Sequence, residues 1–505
     1  MTSELELILK NSQNLMRQGK LARAETFLLD RYEKWENHPI INFLLGQVFS
    51  LKGDINKSLH YLEIGYQHGK HISSIVVLFA EQLQANNESD QARAVLKLAL
   101  INSPCDKELL QSFANLCLAD QKPLDSLRIN SRILLLFPLS EKTHANIAEA
   151  YAAVDNYEKS LEHINIAIER DPSSQLRLNR SITLLTLGHY EKGWADYESR
   201  LGHDIISSPK RLIRVPRWNR EALRDKTILV CSEQGVGDEL YFSAYLPKLQ
   251  GIAGRIILET DPRLVEIFKE SLTDLAIFPY SRRLANQRPV YNYGWLPKSG
   301  YPDFYIDLAS LPYFFSEKKL KKMNTSGYLR ITQNACDHWK KQLLNLSDGR
   351  PVIGLFWRSG LNTAARQHWY PPLHFWEPVL TIPDVCFVSL QYDDDADDIK
   401  FVKDEFGVSL IKLCDVDLKN DFKQLGAICS ALAGVVAPST TTAHLAAAVG
   451  TRTIIIDKTR TWSPTINGFD AFLPCIQRIH PPNSGDWQWV FEDTRRQIDH
   501  WLLAR

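Results

Sequence analysis

The chain has 505 residues, and its 59 Lys and Arg balance its 59 Asp and Glu, so the formal net charge is zero. This balance gives no overall attraction for a polyanion and argues against a nucleic-acid-binding protein. The eight Cys are scattered without a C-x-x-C pair, no apolar run is long enough to span a bilayer, and the first residues lack a signal-peptide pattern, so we expect a cytoplasmic protein without a transmembrane segment.

An internal repeat with a period of 34 residues fills about residues 1–200. Mostly small residues recur at this interval in three columns, which are Gly46, Ala80, Ala114 and Ala148; Ser58, Ala92, Ser126 and Ser160; and Gly65, Ala99, Ile133 and Ala167. Small side chains let antiparallel helices approach closely, so the period predicts an α-solenoid of tetratricopeptide repeats. Such an array commonly binds an extended peptide or protein; the alternative is a spacer or an oligomerisation element.

The last repeat, from about residue 175, departs from this pattern. Gly193-Trp194 occupies the place where a small residue is expected, and Tyr197 follows shortly after. These aromatic side chains predict a cap that packs against the next domain. Residues 201–225 contain two short segments with Pro, at 207–209 and 215–216, and are predicted to be a connector.

Two α/β domains are predicted next, over residues 226–345 and residues 346–505. In the first, an apolar run at 227–231 is followed by a Gly-rich turn, an amphipathic stretch and a second run, which is β-α-β order. The second contains four runs that are apolar throughout, as buried parallel strands are, at 352–357, 385–390, 434–436 and 453–456. We therefore expect two Rossmann-like domains facing each other across a cleft, with ligands at the carboxyl ends of their strands.

A cluster of hydroxyl groups follows the run at 434–436. Ser439, Thr440, Thr441 and Thr442 open an Ala-rich helix. The first N–H groups of a helix have no intrahelical partners, and a helix start just past a strand is a ready site for phosphate. The sequence predicts a phosphate or diphosphate site here; a well-capped helix without a ligand is the alternative. His444, on the same helix, is either a further donor contact or a packing residue.

A Gly-rich turn, Gly235-Val236-Gly237-Asp238, follows the first strand of the first α/β domain. It is not a dinucleotide fingerprint, because Leu240 stands where the third Gly is required, and the chain contains no Walker loop. Asp238 is expected at a helix start near the bound phosphate, where its carboxylate can accept a proton from an attacking hydroxyl. The alternative is an acid that the helix dipole favours at this place.

Polar residues follow two further strands of the second α/β domain. Arg358, with Arg366 shortly after it, is placed to form charge-assisted bonds to a diphosphate, or else pairs with a surface carboxylate. Gln391 is a candidate for bonding a base edge and Tyr392 for stacking on the base, with a structural role as the alternative. The acidic run at 393–398 is interpreted as a solvated loop and not as a metal site.

Several ordered motifs resemble those of the tetratricopeptide-repeat glycosyltransferases, whose catalytic part is similar to the bacterial heptosyltransferases of glycosyltransferase family nine. The segment 233–238 with 245–249 resembles the family's E-Q-G-x-G-D…Y-L-P-x-L signature, and Trp194 to Glu198 resembles its G-W-x-x-Y-E element. Ser439 to Gly450 resembles its D-T-x-x-A-H-L-A-G-A-L-G motif, and 485–487 its terminal G-D-W. The chain departs from the family at Pro438-Ser439, where D-T is expected. The resemblance spans essentially the whole chain.

This resemblance implies an α-solenoid followed by an α/β GT-B fold, as in O-GlcNAc transferases and flagellin glycosyltransferases. It implies a nucleotide-sugar donor, no further cofactor, no metal, and inverting transfer to a protein acceptor, such as flagellin, that the repeats recognise. Asp238 would be the catalytic base. The donor would be held by Gly235, Gly237, Arg358, Gln391, Ser439, Thr440, Thr441, Thr442 and His444. Two alternatives stay open: transfer to lipopolysaccharide or another saccharide, and a non-catalytic scaffold with a vestigial GT-B domain.

Overall fold

The computed structural model describes residues 3–138, 140–285, 288–296, 300–315, 327–360 and 369–503. The chain divides into two compact units, Met1–Asp171 and Pro172–Arg505. None of the described helices is long and apolar enough to cross a membrane.

The first unit is built from antiparallel helix pairs. Helices that open a pair begin at Pro39, Ser73, Lys107 and Glu141, and each start lies 34 residues after the previous one. The helices are α1 (Ser3–Arg17), α2 (Leu21–Leu29), α3 (Tyr32–Trp35), α4 (Pro39–Lys52), α5 (Ile55–Gly69), α6 (Ser73–Ala85), α7 (Ser89–Asn102), α8 (Lys107–Ala119), α9 (Pro123–Leu136), α10 (Glu141–Ala152) and α11 (Tyr157–Arg170). The predicted helical repeat solenoid is confirmed.

Small residues are required where the helices of a pair touch. A Cβ at Gly46 would lie 2.5 Å from Cγ of Leu62, so any side chain there would force Leu62 to move. The Ser58 hydroxyl donates to the Gly46 carbonyl at 2.8 Å, which joins α4 to α5 at the same contact. The three predicted columns are buried along the array, so the repeat period reflects close helix packing.

The second unit begins with one more helix pair and continues with two α/β halves. Its helices are α12 (Ser174–Thr186), α13 (Tyr190–Tyr197), α14 (Val236–Phe242), α15 (Leu246–Gln250), α16 (Val265–Ser271), α17 (Leu311–Phe315), α18 (Gln333–Leu346), α19 (Glu377–Leu380), α20 (Ala396–Phe406), α21 (Phe422–Ala431), α22 (Thr441–Ala448) and α23 (Trp487–Leu503). Its strands are β1 (Lys210–Leu212), β2 (Thr227–Cys231), β3 (Arg255–Thr260), β4 (Ala276–Pro279), β5 (Ser281–Ala285), β6 (Arg288–Asn292), β7 (Phe304–Asp307), β8 (Val352–Leu355), β9 (Cys386–Ser389), β10 (Ile411–Lys412), β11 (Gly434–Ala437), β12 (Thr453–Ile456), β13 (Thr465–Ile466), β14 (Phe469–Asp470) and β15 (Ile476–Ile479).

The helix pair α12–α13 is packed into the second unit by an aromatic cluster. Trp194 is 1% exposed, and its ring lies 6.1 Å from Phe242, 6.1 Å from Trp462 and 5.9 Å from Phe472. As expected from the sequence, the aromatic residues of the last repeat pack against the domain that follows. The compact unit therefore begins at Pro172, whereas the predicted array extended to residue 200.

The first α/β half contains a parallel sheet, and the second contains a sheet that is parallel from β10 to β15 and antiparallel at β14 and β13. In both sheets the strand order reverses at the first strand. The first sheet has the order β4-β3-β2-β7 and the second the order β10-β9-β8-β11-β12-β15-β14-β13. Up to β15 the second sheet follows the strand order of the Rossmann fold, and the first follows the corresponding first part of it. The switch points lie between β2 and β7 and between β8 and β11, where such sheets bind ligands.

Part of the predicted connector is structured. Its strand β1 pairs in parallel with β6, and β6 pairs antiparallel with β5, in a separate three-stranded sheet. Ile205 and Trp218 are 5% and 4% exposed. Residues 201–225 therefore contribute to the core of the second unit. The sequence did not reveal this, because the strand that pairs with β1 lies about eighty residues later in the chain.

Candidate functional site

The Gly-rich turn after β2 and the hydroxyl-rich helix start after β11 lie against each other. A Cβ at Gly237 would lie 3.4 Å from the Thr441 hydroxyl and 3.3 Å from Nδ1 of His444. A side chain at position 237 would require Thr441 and His444 to move by a few tenths of an ångström or more, so Gly favours this close approach of α14 to α22. The structure thus brings together the two turns that the sequence singled out, at the switch points of the two sheets.

The first turn of α22 has no side-chain cap. Thr440 occupies the N-cap position, with φ −139° and ψ 167°, but its hydroxyl accepts no hydrogen bond from the helix. In the described part of the chain this buried hydroxyl has no hydrogen-bond partner. Ser439 is exposed, Thr441 is half-buried and Thr442 is buried. An uncapped helix start beside a buried, unpaired hydroxyl is suited to a bound anion.

His444 lies on the same helix and is 8% exposed. Its ring lies 5.2 Å from the ring of Tyr241. Neither ring nitrogen has a hydrogen bond of normal geometry among the described residues, although Nδ1 faces the backbone of Gly237. Burial lowers the pKa of His444 to about 3, the Arg478 charge adds to this, and the Gly237 contact opposes it. His444 is therefore a neutral imidazole that faces the junction of the two turns.

Asp238 lies in the first turn of α14. Its carboxylate folds back over the helix start, so that a Cβ at Gly235 would lie 3.0 Å from Oδ2 of Asp238. Solvent reaches the side chain, but the surrounding protein and the nearby Glu233 carboxylate raise the pKa of Asp238 to about 7, against the opposing charge of Arg200. A carboxylate that has a pKa near neutrality and that solvent can reach has the properties of a general base.

A buried charge network supports this turn. Arg200, 6% exposed, donates to Glu198 at 2.9 Å and to Glu233 at 3.2 Å. Glu233 also accepts the backbone N–H of Ala309 at 2.8 Å. Glu198 is the last residue of the G-W-x-x-Y-E element, and Glu233 is the first residue of the E-Q-G-x-G-D signature. Arg200 therefore connects these two motifs. Paired and hydrogen-bonded carboxylates of this kind hold a backbone in one position.

The carboxyl ends of β3 and β7 in the first sheet are joined by Arg211. It donates to Asp307, at the end of β7, at 2.8 Å and to Glu259, in β3, at 3.0 Å. Against the effect of burial, the guanidinium groups of Arg211, Arg200 and Arg217 hold the pKa of Asp307 below its ordinary value. This network was missed in the sequence because its members come from the last repeat, the connector and three strands.

Arg358 does not extend toward the helix start in this structure. Its guanidinium pairs with Asp393 and, at 2.9 Å, with Asp398, and it donates to the Asp394 carbonyl at 2.8 Å. The alternative interpretation, in which Arg358 pairs with carboxylates, is the arrangement observed, and its contact to a diphosphate stays a prediction. A phosphate would have to compete with two carboxylates for this side chain. Arg366 lies outside the described residues.

Gln391 is 1% exposed, and its amide is fully engaged. Oε1 accepts the N–H groups of Trp357 at 2.9 Å and Arg358 at 3.2 Å, and Nε2 donates to the Arg358 carbonyl at 3.0 Å and to Asp393 at 2.7 Å. These bonds brace the loop after β8. Gln391 therefore has a structural role, which was the alternative interpretation, and the contact of its amide to a base edge stays a prediction.

The acidic run at 393–398 is not simply a solvated loop, which corrects the expectation from its charge. Asp395 is 4% exposed, accepts the Ser389 hydroxyl at 2.6 Å and pairs with Lys412 at 2.6 Å. Asp393 and Asp398 hold Arg358. In the described ranges, no three metal-ligating side chains are grouped as a metal would require.

Lys458 is a candidate that the sequence did not reveal. β11 and β12 run parallel with Ala437 opposite Ile455, so the chain leaves both strands at the same edge of the sheet. Lys458 lies two residues after the end of β12, and burial lowers its pKa. It therefore belongs to the sheet edge that also carries the Ser439–Thr442 start. The signal available in the sequence was its place two residues after the apolar run at 453–456.

Comparison with known proteins gives one relative with substantial coverage. The chain is similar to protein FlbA of Caulobacter vibrioides, with 29% identity over 423 residues that cover 80% of this chain and 69% of the relative. No protein-family description matches the chain. Among solved structures it is similar to a tetratricopeptide repeat protein from Parabacteroides merdae (TM-score 0.33, 21% identity, 38% of this chain and 77% of the other). It is also similar to TTC0263, a thermophilic TPR protein in Thermus thermophilus (TM-score 0.32, 17% identity, 36% of this chain and 98% of the other).

Proposed function

We propose that the protein is a nucleotide-sugar-dependent glycosyltransferase of the GT-B type, inverting and metal-independent. One observation carries the proposal. The turn that holds Asp238 and the uncapped helix start at Thr440 face each other at the switch points of the two sheets. One of these elements offers a proton acceptor and the other an anion site, which are the two requirements for displacing a diphosphate with an acceptor hydroxyl.

The proposed reaction uses few groups. The Asp238 carboxylate takes the proton of the acceptor hydroxyl, whose oxygen bonds to the anomeric carbon while the bond from that carbon to the diphosphate oxygen breaks. The N–H groups at the start of α22, with the hydroxyls of Thr440 and Thr441, stabilise the charge on the leaving diphosphate. Lys458 adds a positive charge on the same side.

The proposed acceptor is a protein that the repeats of the first unit recognise, since stacked helix pairs commonly bind extended segments. Flagellin is the first candidate, from the resemblance to flagellin glycosyltransferases. A saccharide acceptor is the second candidate within the same chemistry. The engagement of Arg358 by Asp393 and Asp398 favours a third candidate, a scaffold whose α/β halves no longer transfer a sugar.

A transfer assay separates these candidates. The purified protein is incubated with a cell lysate and sugars carried by UDP, GDP, dTDP or CMP and labelled in the sugar, and the label is followed into proteins and into saccharides. The proposal expects one labelled protein band that the Asp238→Asn variant does not produce. Label in the saccharide fraction instead supports the second candidate. Absence of transfer from every donor supports the scaffold.

A further inference from the structure

The helices that open the pairs of the first unit, α4, α6, α8 and α10, line its concave side. Successive opening helices contact one another, whereas the closing helices α5, α7, α9 and α11 make no comparable contacts with each other in the described part of this unit. An array whose opening helices lie closer together than its closing helices curves toward the opening helices. The faces of α4, α6, α8 and α10 that pack against no other helix therefore form a concave groove.

One side chain of each opening helix recurs in this groove at the repeat period. Gln47, Glu81, Asn115 and Glu149 follow one another at intervals of 34 residues, and we call them the inner row. Glu81, Asn115 and Glu149 are exposed and Gln47 is half-buried, although the preceding residue of each helix is buried. The inner row therefore lies on the open side of the helices.

The middle of the groove carries charge of only one sign. Between the fifth and the twelfth residue of the four opening helices, Glu81 and Glu149 are the only charged side chains. Outside this window the same helices carry charges of both signs, and so do the closing helices. Glu81 and Glu149 form no salt bridge within the described residues. The groove therefore presents two carboxylates to a ligand and no cation between them.

Both carboxylates lie in a recess that solvent enters. Their side chains are exposed, yet the surrounding protein desolvates them and raises the pKa of Glu81 and of Glu149 above the ordinary value. A pKa raised by desolvation means that the ionised carboxylate is less well solvated than in water. A cation in the groove would replace part of this solvation, so the two side chains favour a positively charged ligand over a neutral one.

The other two members of the inner row are amides. Oδ1 of Asn115 accepts a hydrogen bond from the Asn146 side chain at 2.8 Å, and this bond leaves the amide nitrogen of Asn115 to donate to a ligand. Side-chain amides both donate and accept, as the peptide groups of a main chain do. An extended peptide that lies along the groove can therefore bond to Asn115 and Gln47 through its main chain.

The spacing of the two carboxylates limits which peptides fit. Packed helices lie about 8–10 Å apart, so Glu81 and Glu149, on the first and third of three neighbouring opening helices, are separated by about 20 Å. An extended chain advances about 3.3 Å per residue, so roughly six residues cover this distance.

We propose that the inner row binds an extended segment of the acceptor protein that carries two Lys or Arg side chains about six residues apart. Glu81 and Glu149 pair with the two cations, and the amides of Gln47 and Asn115 bond to the main chain of the segment. The inference rests on the proposed function, since it defines the chemistry of the acceptor. A protein segment is favoured over a cationic saccharide because concave helical arrays commonly bind extended segments.

The test uses the full chain and short fluorescent peptides of Ser and Thr that each contain two Lys. In the first peptide the two Lys are about six residues apart, in the second they are adjacent, and in the third Glu replaces both Lys of the first. We expect the first peptide to bind about tenfold more tightly than the second and the third not to bind. The preference should shrink at high ionic strength.

Variants of the inner row test which side chains are responsible. The double variant Glu81→Gln, Glu149→Gln should bind the two Lys peptides equally weakly. The matched control Glu63→Gln, Glu169→Gln removes the same charge at exposed positions of α5 and α11 and should keep the preference. The double variant Glu81→Lys, Glu149→Lys should instead prefer the Glu peptide, which a merely structural role of these residues does not explain.

The proposal is overturned if the two Lys peptides bind alike, if the Gln variant keeps the preference, or if the charge-reversed variant does not bind the Glu peptide. Glucosamine oligomers, a cationic saccharide, should compete poorly, and equal competition would overturn the assignment to a peptide. Nucleotide titration of the same preparations separates the two proposals. A chain that binds a nucleotide but not the first peptide contradicts only this inference, whereas a chain that binds the peptide but no nucleotide contradicts the proposed function.

Discussion

Gly237 and Thr441 come from different halves of the second unit and lie in contact: a Cβ at Gly237 would lie 3.5 Å from Cα and 3.4 Å from the hydroxyl of Thr441. The contact joins the turn after β2 to the helix start after β11. Any side chain at position 237 must displace part of that junction. The distance between the proposed base and the proposed phosphate site therefore depends on the absence of a side chain at Gly237.

Replacement of Gly237 by Val should weaken nucleotide binding and lower the free energy of unfolding by about 1–3 kcal/mol, because the added atoms crowd Thr441 and His444. Gly251→Val is the control, since a Cβ there meets only ordinary contacts at 3.5 Å and beyond. Chemical unfolding and nucleotide titration measure both effects. Equal behaviour of the two variants would show that the contact is not important.

Asp238→Asn should lower the turnover rate by a factor of about 10² to 10⁴, while the nucleotide affinity stays nearly unchanged. Asn keeps the size and the hydrogen-bonding reach of Asp but cannot accept the acceptor's proton. Single-turnover transfer rates and calorimetric affinities for wild type and variant measure the two quantities separately. An unchanged transfer rate would show that Asp238 is not the catalytic base but an acid that the helix dipole favours at the start of α14.

The pH dependence follows from the raised pKa of Asp238, which is about 7. Only the deprotonated base accepts a proton, so the logarithm of kcat/KM should rise with unit slope below pH about 7 and level off above it. Because the folded pKa lies above the unfolded value, protonation of Asp238 stabilises the fold at low pH, and this stability is lost as the pH rises through 7. The Asn variant, which resembles the protonated acid, should therefore be the more stable protein at pH 8. A plateau that already begins near pH 4 would contradict the assignment.

Deletion of residues 1–171 should abolish transfer to the acceptor but preserve nucleotide binding. The cut follows the boundary between the two compact units and leaves Trp194 to cover the core formed with Phe242 and Phe472. Transfer and nucleotide titration are measured on the shortened chain, and mass spectrometry identifies what the isolated array captures. If the shortened chain still transfers at the full rate, the hypothesis that the repeats select the acceptor is wrong.

Much of the fold could be predicted because its signals are local. Close helix packing at Gly46 and its equivalents repeats every 34 residues, and the buried strands are apolar throughout. The strand β1 could not be recognised, because it is short, rich in charge and paired with a strand far along the chain. The side chain of its Arg211 is buried because it pairs with carboxylates of two strands, Glu259 of β3 and Asp307 of β7.

The sequence predicted the parts of the candidate site that backbone groups form, and it did not predict the hydrogen-bond partners of the side chains around it. The contact of Gly237 with Thr441 follows from two turns at strand ends. The sequence could not tell whether Arg358 would face a phosphate or the acidic run, because that depends on how the loops after β8 and β9 meet. Gln391 illustrates the same limit, since its amide braces Trp357 and Arg358.

Calorimetric titration with UDP, GDP, dTDP and CMP, each with and without EDTA, tests the central claim most directly. We expect one of these nucleotides to bind equally well with EDTA present. Thr441→Val should weaken that binding by about tenfold, because a hydroxyl at the phosphate site is lost. Thr381→Val, which removes a hydroxyl bonded only to its own helix at Glu377, should not. Failure of every nucleotide to bind, loss of binding with EDTA, or equal affinities of the two variants would contradict a metal-free phosphate site at the start of α22.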